Sequence, residues 1–372
     1  MAENDYFPSS YFSSRQRFRA ALEDILERWP GAKLTSHLVQ SDEDLTIDWI
    51  EAPAVETADA LLLVTSGEHG VEAYAGCAVL QMMIEEYLPL LDPQHTGLAL
   101  VHSINPWGMA HHRRTNKGNV DINRNFVLDP MQLDPAFNAD YKRFNGFLNP
   151  RHKLRGYGLQ KALFVPYALL RAGLSGSDRL KRATLLGQYA FPQGIYYGGR
   201  SIQPETQVLM DLYRRWFGAY RQVVHIDLHT GYGPRYQMSV VNSSFEKVSS
   251  GELAERFNYP LVVKTDPDEF YSISGDMIDY IYQMVGKEFP NCAFYSTTFE
   301  FGTFGDSLIN SLESLRTMIH ENQMHHQGAG DTEAVRQDFD ELYCPSEPEW
   351  REKVLADARQ ALNGILAAWG MI

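Results

Sequence analysis

Apolar positions along the chain follow two periodicities. Residues 15–28 (RQRFRAALEDILER) repeat apolar side chains at helical spacing, whereas 33–40 (KLTSHLVQ) and 45–52 (LTIDWIEA) read as short strands around the turn SDED. Three runs, ADALLLVTSG (58–67), LALVHSIN (98–105) and QVVHIDLH (222–229), are too uniformly apolar for a strand with one wet face. They predict central strands covered on both sides. Helical patterns at about 72–88 and 204–217 lie between them, the second announced by Pro204 near its start. Strands at 259–265 and 292–301 and helices near 307–325 and 348–369 complete the pattern.

Such alternation predicts an α/β fold: one domain over residues 1–372, with a central mixed, largely parallel sheet flanked by helices. Residues 129–190 break the rhythm with Pro, Asn, Gly and a basic helical segment. They are too long for an ordinary connection and are expected to form a helical and loop insertion beside the site. The chain has no internal repeat and no low-complexity tract.

Composition narrows the function classes. With 372 residues, 44% hydrophobic and 22% charged, the chain can bury a substantial core. No apolar run approaches the ~20 residues that span a bilayer, so no membrane partner is expected. The N-terminus MAENDYFPSS has neither the basic start nor the apolar stretch of a signal peptide, which predicts a cytoplasmic protein. Cys77, Cys292 and Cys344 are odd in number and far apart, so a disulfide framework is not expected. The net charge of −14 speaks against nonspecific nucleic-acid binding. The segment RHKLRGYGLQK from Arg151 is the local exception, read as a solvated loop or helix face.

Candidate chemistry begins where the first apolar run ends, in SGEHGVEAYAG, with His69 and Glu72 three residues apart at the start of a helix. Side chains at that spacing project to one side and can grip one ion, although a capping pair fits the spacing as well. His229 ends the strand HIDLHTGYG, at the carboxyl edge where open α/β sheets place their sites. Two His and one Glu form a catalytic zinc set that leaves a fourth position for water. His225 faces the same side but lies roughly 13 Å along the strand, too far to share the ion.

The segment HHRRTNKGNVDINRNF adds further groups. Asp121 can accept a hydrogen bond from a ligand imidazole, Asn123 and Arg124 can hold a substrate carboxylate, and Arg113 or Arg114 can stabilise an oxyanion. Glu300, flanked by Phe299 and Phe301 near a strand end, is a carboxylate that needs a partner and whose burial would tune it as a general base. A turn-forming basic loop and a buried ion pair are the plain alternatives for these two segments.

Taken together, His69-Gly-Val-Glu72, Val120-Asp-Ile-Asn-Arg-Asn-Phe126, Asp227-Leu-His-Thr230 and Thr298-Phe-Glu-Phe-Gly302 resemble the zinc carboxypeptidase family, in order, over residues 60–305. The resemblance implies one zinc on His69, Glu72 and His229, with a second ion left open. It also implies Asp121 behind a ligand, Asn123 and Arg124 on the substrate's terminal carboxylate, and Glu300 as general base. Tyr271-Ser-Ile-Ser-Gly-Asp-Met-Ile-Asp279 looks like the family's mobile segment, making Tyr271 the closing tyrosine. Ile278 falls at the position of side-chain preference, implying apolar or aromatic C-terminal residues.

The Asp-Leu-His-Thr form is closer to the aspartoacylase and succinylglutamate desuccinylase branch. The SGEHGVE, RRTN and YYGG segments resemble a bacterial branch of the carboxypeptidase superfamily. The expected activity is zinc-dependent hydrolysis of an amide next to a free carboxylate. An N-acyl amino acid deacylase and a non-catalytic zinc or peptide-binding protein are the alternatives. Serine hydrolysis and dinucleotide binding lack their motifs, G-x-S-x-G and G-x-G-x-x-G.

Overall fold

In the strand Ala60–Ser66 (β3), Leu61 and Leu63 point to one side of the sheet and Leu62 and Val64 to the other, and all four are fully buried. The first pair packs with Leu209, Tyr213, Trp216 and Met284, the second with Met83, Leu355 and Leu362. A strand apolar on both sides is explained by helices on both faces.

The computed structural model describes residues 3–40, 42–265 and 275–372. Its other strands are Lys33–Gln40 (β1), Leu45–Ala52 (β2), Thr96–Val101 (β4), Gln222–Thr230 (β5), Met238–Asn242 (β6), Val262–Lys264 (β7) and Ala293–Phe301 (β8). They form one sheet in the order β1-β2-β4-β3-β5-β8-β6-β7. The central pairings β4/β3, β3/β5 and β5/β8 are parallel, as is β6/β7, while β1/β2, β2/β4 and β6/β8 are antiparallel. The sheet is therefore mixed with a parallel centre, flanked by helices, as the alternation of patterns predicts. No described helix is long and apolar enough to cross a membrane.

The expected elements occur with shifted ends. The first helix runs Tyr11–Leu26, begun by Ser10, whose hydroxyl accepts from the Ser13 amide. The helix after His69 starts as a short 3₁₀ turn, Gly70–Glu72, before Ala73–Glu86. The strand β6 and the helix Thr332–Tyr343 have no counterpart in the sequence reading. Residues 129–190 hold the helices Ala139–Leu148, Tyr157–Ser175 and Ser177–Leu185. Phe144, Phe147, Phe164 and Leu180 among them share a core cluster with Leu312 and Leu315 of the helix Leu308–Gln327.

Candidate metal and catalytic site

Parallel pairing brings the carboxyl ends of β3, β5 and β8 to one edge. Register places Thr65 beside Asp227, Asp227 beside Thr298, and His229 beside Glu300. Residues opposite each other in a ladder share a face, and alternation sends Val224, Ile226, Leu228, Phe299 and Phe301 to the other side. His229 and Glu300 are thus neighbours on one face, with apolar residues between them turned into the core.

His69 leaves the end of β3 in an extended conformation, and the 3₁₀ turn that follows swings Glu72 back toward it. Gly70 lets this turn pack against the backbone of residues 108 and 109, because a Cβ there would lie 2.2 Å from the carbonyl carbon of Gly108. His69 Nδ1 lies 2.9 Å from Glu72 Oε1, and His229 Nδ1 lies 3.0 Å from Glu72 Oε2. All three residues are buried, and a ligand atom from each falls within 4.8 Å of the others. His69 Nδ1 has no hydrogen-bond partner despite its burial. An orphaned imidazole nitrogen facing a carboxylate and a second imidazole suits a cation. The donor set of two nitrogens and a carboxylate fits zinc.

The outer nitrogens of both imidazoles meet carboxylates. His69 Nε2 lies 3.1 Å from Asp121 Oδ1, and His229 Nε2 lies against Asp227 Oδ2 and 3.2 Å from Glu68 Oε2. Arg114 joins the set from the side, donating from Nη1 to Glu72 Oε1 at 2.7 Å and from Nε to Asp121 Oδ2 at 3.3 Å. Burial alone would raise the Glu72 carboxyl, but the His69 charge, a hydrogen bond from His229 and the charge of Arg114 hold it far below its ordinary value. Asp121 is held down against its burial by Arg114, Arg124 and His69.

Glu300 stands apart from these clamps. Burial, then the charge of Glu72, push its carboxyl up to about 7, with His229 and the Tyr232 amide acting against the rise. Its Oε1 accepts that amide at 3.0 Å. His69, Glu72, His229, Arg114 and Glu300 line one cavity of about 200 Å³ together with Asn123, Arg124 and Ile278. Asn123 is fixed by accepting the Met277 amide at 2.9 Å, and Arg124 donates to the carbonyls of Asn123 and Leu185. Gly275, at φ +79°, lets this turn pack closely, since a Cβ there would lie 2.3 Å from the Arg124 carbonyl oxygen.

Arg113 does not reach the cavity: its Nε lies 2.9 Å from Glu321 Oε1 and its Nη2 donates to Asn119. The carbonyls of Arg113 and Arg114 accept the amides of Val71 and Gly70, which fixes this loop against the 3₁₀ turn, and the Arg113 guanidinium is held by Glu321, Asn119 and Asn322 on the side away from Glu72. Of the two arginines, only Arg114 faces the cavity. Tyr271 lies outside the described residues.

Sequence reasoning missed Glu68 and Asp227, both fully buried against His229. Asp227 was within reach, standing two residues before His229 on the same strand face. Glu68 precedes His69 in a loop, where spacing predicts no direction. Tyr196 and Tyr343 line the cavity near Arg124 and Arg114; Tyr196 lies in the YYGG segment, which gave it no role, and Tyr343 carried no local signal.

No curated protein matches the chain. It is similar in structure to bovine thrombin-activatable fibrinolysis inhibitor in complex with tick carboxypeptidase inhibitor, at 14% identity and a TM-score of 0.48, over 86% of this chain and 97% of that one. It is also similar to carboxypeptidase A from Helicoverpa armigera, at 12% identity and a TM-score of 0.47, over 88% and 73% of the two chains. An aspartoacylase family protein from Mesorhizobium loti is similar at 14% identity and a TM-score of 0.37, over 80% and 67%. Residues 7–357 match one family model, and the chain belongs to that family, described as Protein of unknown function (DUF2817).

Proposed function

We propose that the protein is a zinc-dependent hydrolase of the carboxypeptidase type, cleaving an amide bond next to a free carboxylate. The observation that carries this reading is the meeting, in one cavity, of a His/Glu/His set able to hold a metal ion with a carboxyl raised to about 7 and an arginine beyond them. A resting metal-binding module needs the first of these but not the second.

His69, Glu72 and His229 would hold the ion. Zinc, when bound there, supplies Lewis acidity, which brings the pKa of water from ~16 toward ~7 and polarises the scissile carbonyl. Glu300 receives the proton of the attacking water and passes it to the leaving amine, a task suited to a carboxyl near neutrality. Arg114, oriented by Glu72 and Asp121, offers its remaining guanidinium donors to the developing oxyanion. Asn123 and Arg124 bind the substrate's carboxylate, and Ile278 favours an apolar side chain beside it.

The test is Glu300→Gln. The variant is expected to retain its zinc and lose about 10²–10⁴-fold in kcat, the usual range for general acid–base catalysis. Normal turnover with zinc bound would refute the scheme. A panel of peptides against N-acyl amino acids separates carboxypeptidase from deacylase, since both would use the same residues.

A further inference from the structure

The helix Tyr157–Ser175 is apolar on two opposite sides. Phe164 and Ala168 face inward, into the cluster shared with Phe147, Leu312 and Leu315. Leu159, Leu163, Tyr167 and Leu170 stand at spacings of four, four and three residues, which stack them on one stripe of a helix. That stripe points away from the protein: the four are 67%, 55%, 49% and 59% exposed. Pro166, on the same side, is exposed as well. A surface helix ordinarily carries charged and polar residues there. At 1.5 Å per residue the stripe from Leu159 to Leu170 extends about 17 Å along the helix as an apolar ridge.

Charge around the ridge is the reverse of the rest of the chain. Residues 142–182 carry ten Lys and Arg against one Asp, a local +9 in a chain of net −14, which leaves the remainder at −23. The cations gather at the two ends of the helix: Arg151, Lys153 and Arg155 precede it, and Arg179 follows it, all exposed. The lysine nearest the helix middle, Lys161, is turned sideways onto Asp338 and leaves the ridge apolar.

We propose that this face is a docking surface for an anionic lipid bilayer, on which the protein lies without spanning it. A helix lying in the interface seats its apolar stripe at the acyl boundary and its cations among phosphate headgroups. The alternatives fit less well. A second copy joined through the same face would set like charges such as Arg151, Lys153, Arg155 and Arg179 against one another, because a two-fold contact sets a patch against itself. A nucleic acid would match the cations but offer no aliphatic surface to the leucine ridge. This surface is independent of the proposed chemistry at the cavity.

The experiment is cosedimentation of the full chain with vesicles of phosphatidylcholine alone and of phosphatidylcholine mixed with phosphatidylglycerol, with gel filtration in parallel. Binding to the anionic vesicles is expected to be about tenfold tighter or more, given roughly 1 kcal/mol per surface cation. Leu163→Asp combined with Leu170→Asp should lose at least that factor, with an unchanged thermal melt because both side chains are exposed. Lys153→Glu combined with Arg155→Glu should bind both vesicles nearly alike. Absence of binding by the natural chain, or binding unchanged in both variants, would overturn the proposal. So would a dimer that the leucine variant dissociates, or capture of single-stranded RNA, when neither is accompanied by vesicle binding.

Discussion

His69 Nε2 lies 3.1 Å from Asp121 Oδ1, and the second oxygen of the same carboxylate accepts from Arg114 Nε at 3.3 Å. One buried carboxylate therefore fixes both the tautomer of a proposed zinc ligand and the direction of the proposed oxyanion donor. Asp121→Asn puts a neutral amide in its place, able to present an N–H toward an imidazole that needs an acceptor. Zinc affinity is expected to fall about 10–100-fold, the usual loss when a partner behind a ligand is removed. Competition with a chromophoric chelator measures it, and an unchanged affinity would show that Asp121 serves Arg114 alone.

Glu300 sets a second expectation, for pH. Its carboxyl is raised to about 7, and only the ionised form takes a proton, so kcat/KM should climb as pH rises toward that value. A bound cation favours ionisation, which moves the acidic limb of the loaded enzyme below about 7. The limb should disappear in the residual activity of Glu300→Gln. A profile that is flat from weakly acidic to neutral pH in the natural enzyme would contradict the assignment.

Two histidines away from the proposed chemistry govern acid stability. His102 and His225 are buried, bond to the Ser14 hydroxyl and to Thr65 and Ser296 respectively, and burial lowers each from 6.5 to about 4. The folded protein thus binds fewer protons than the unfolded chain between these values. Stability is full above the unfolded value and is lost as pH falls toward 4, by on the order of 3 kcal/mol per histidine. Urea unfolding across this range measures the slope. His102→Gln, which keeps an amide near Ser14, should remove about half of the pH dependence contributed by the pair.

The sheet centre was legible because its strands are uniformly apolar. A run such as Leu61–Val64 has few alternatives to a strand with helices on both faces. The edge was less so. The strand expected at 259–265 is present as β7, Val262–Lys264, but the five residues of β6 are too few to establish a period, and β6 is recognisable only through its pairing with β8.

The site followed the same division. His229 and Glu300 are predictable because both end apolar strands, and parallel strands gather such ends at one edge. Arg113 and Arg114 were indistinguishable in sequence, since their directions depend on hydrogen bonds of this loop to Gly70 and Val71 and on distant partners such as Glu321 and Glu72, which are tertiary contacts. Likewise the stripe Leu159–Leu170 looks like ordinary core spacing in the sequence; its exposure depends on the opposite stripe being the one that packs.

The central claim is metal-dependent hydrolysis beside a free carboxylate held by Arg124. Its most direct test follows cleavage of matched peptides, with free and with amidated C-termini, by the zinc-loaded, the chelator-stripped and the zinc-loaded Arg124→Ala proteins. Loss of a charge-assisted hydrogen bond is worth about 1.5–3 kcal/mol, or roughly 10–150-fold in kcat/KM. The account predicts cleavage of the free peptide by the loaded protein, none after stripping, and a loss of that size for the amidated peptide and for Arg124→Ala. Equal cleavage of both peptides, or cleavage that survives complete removal of the metal, would contradict it.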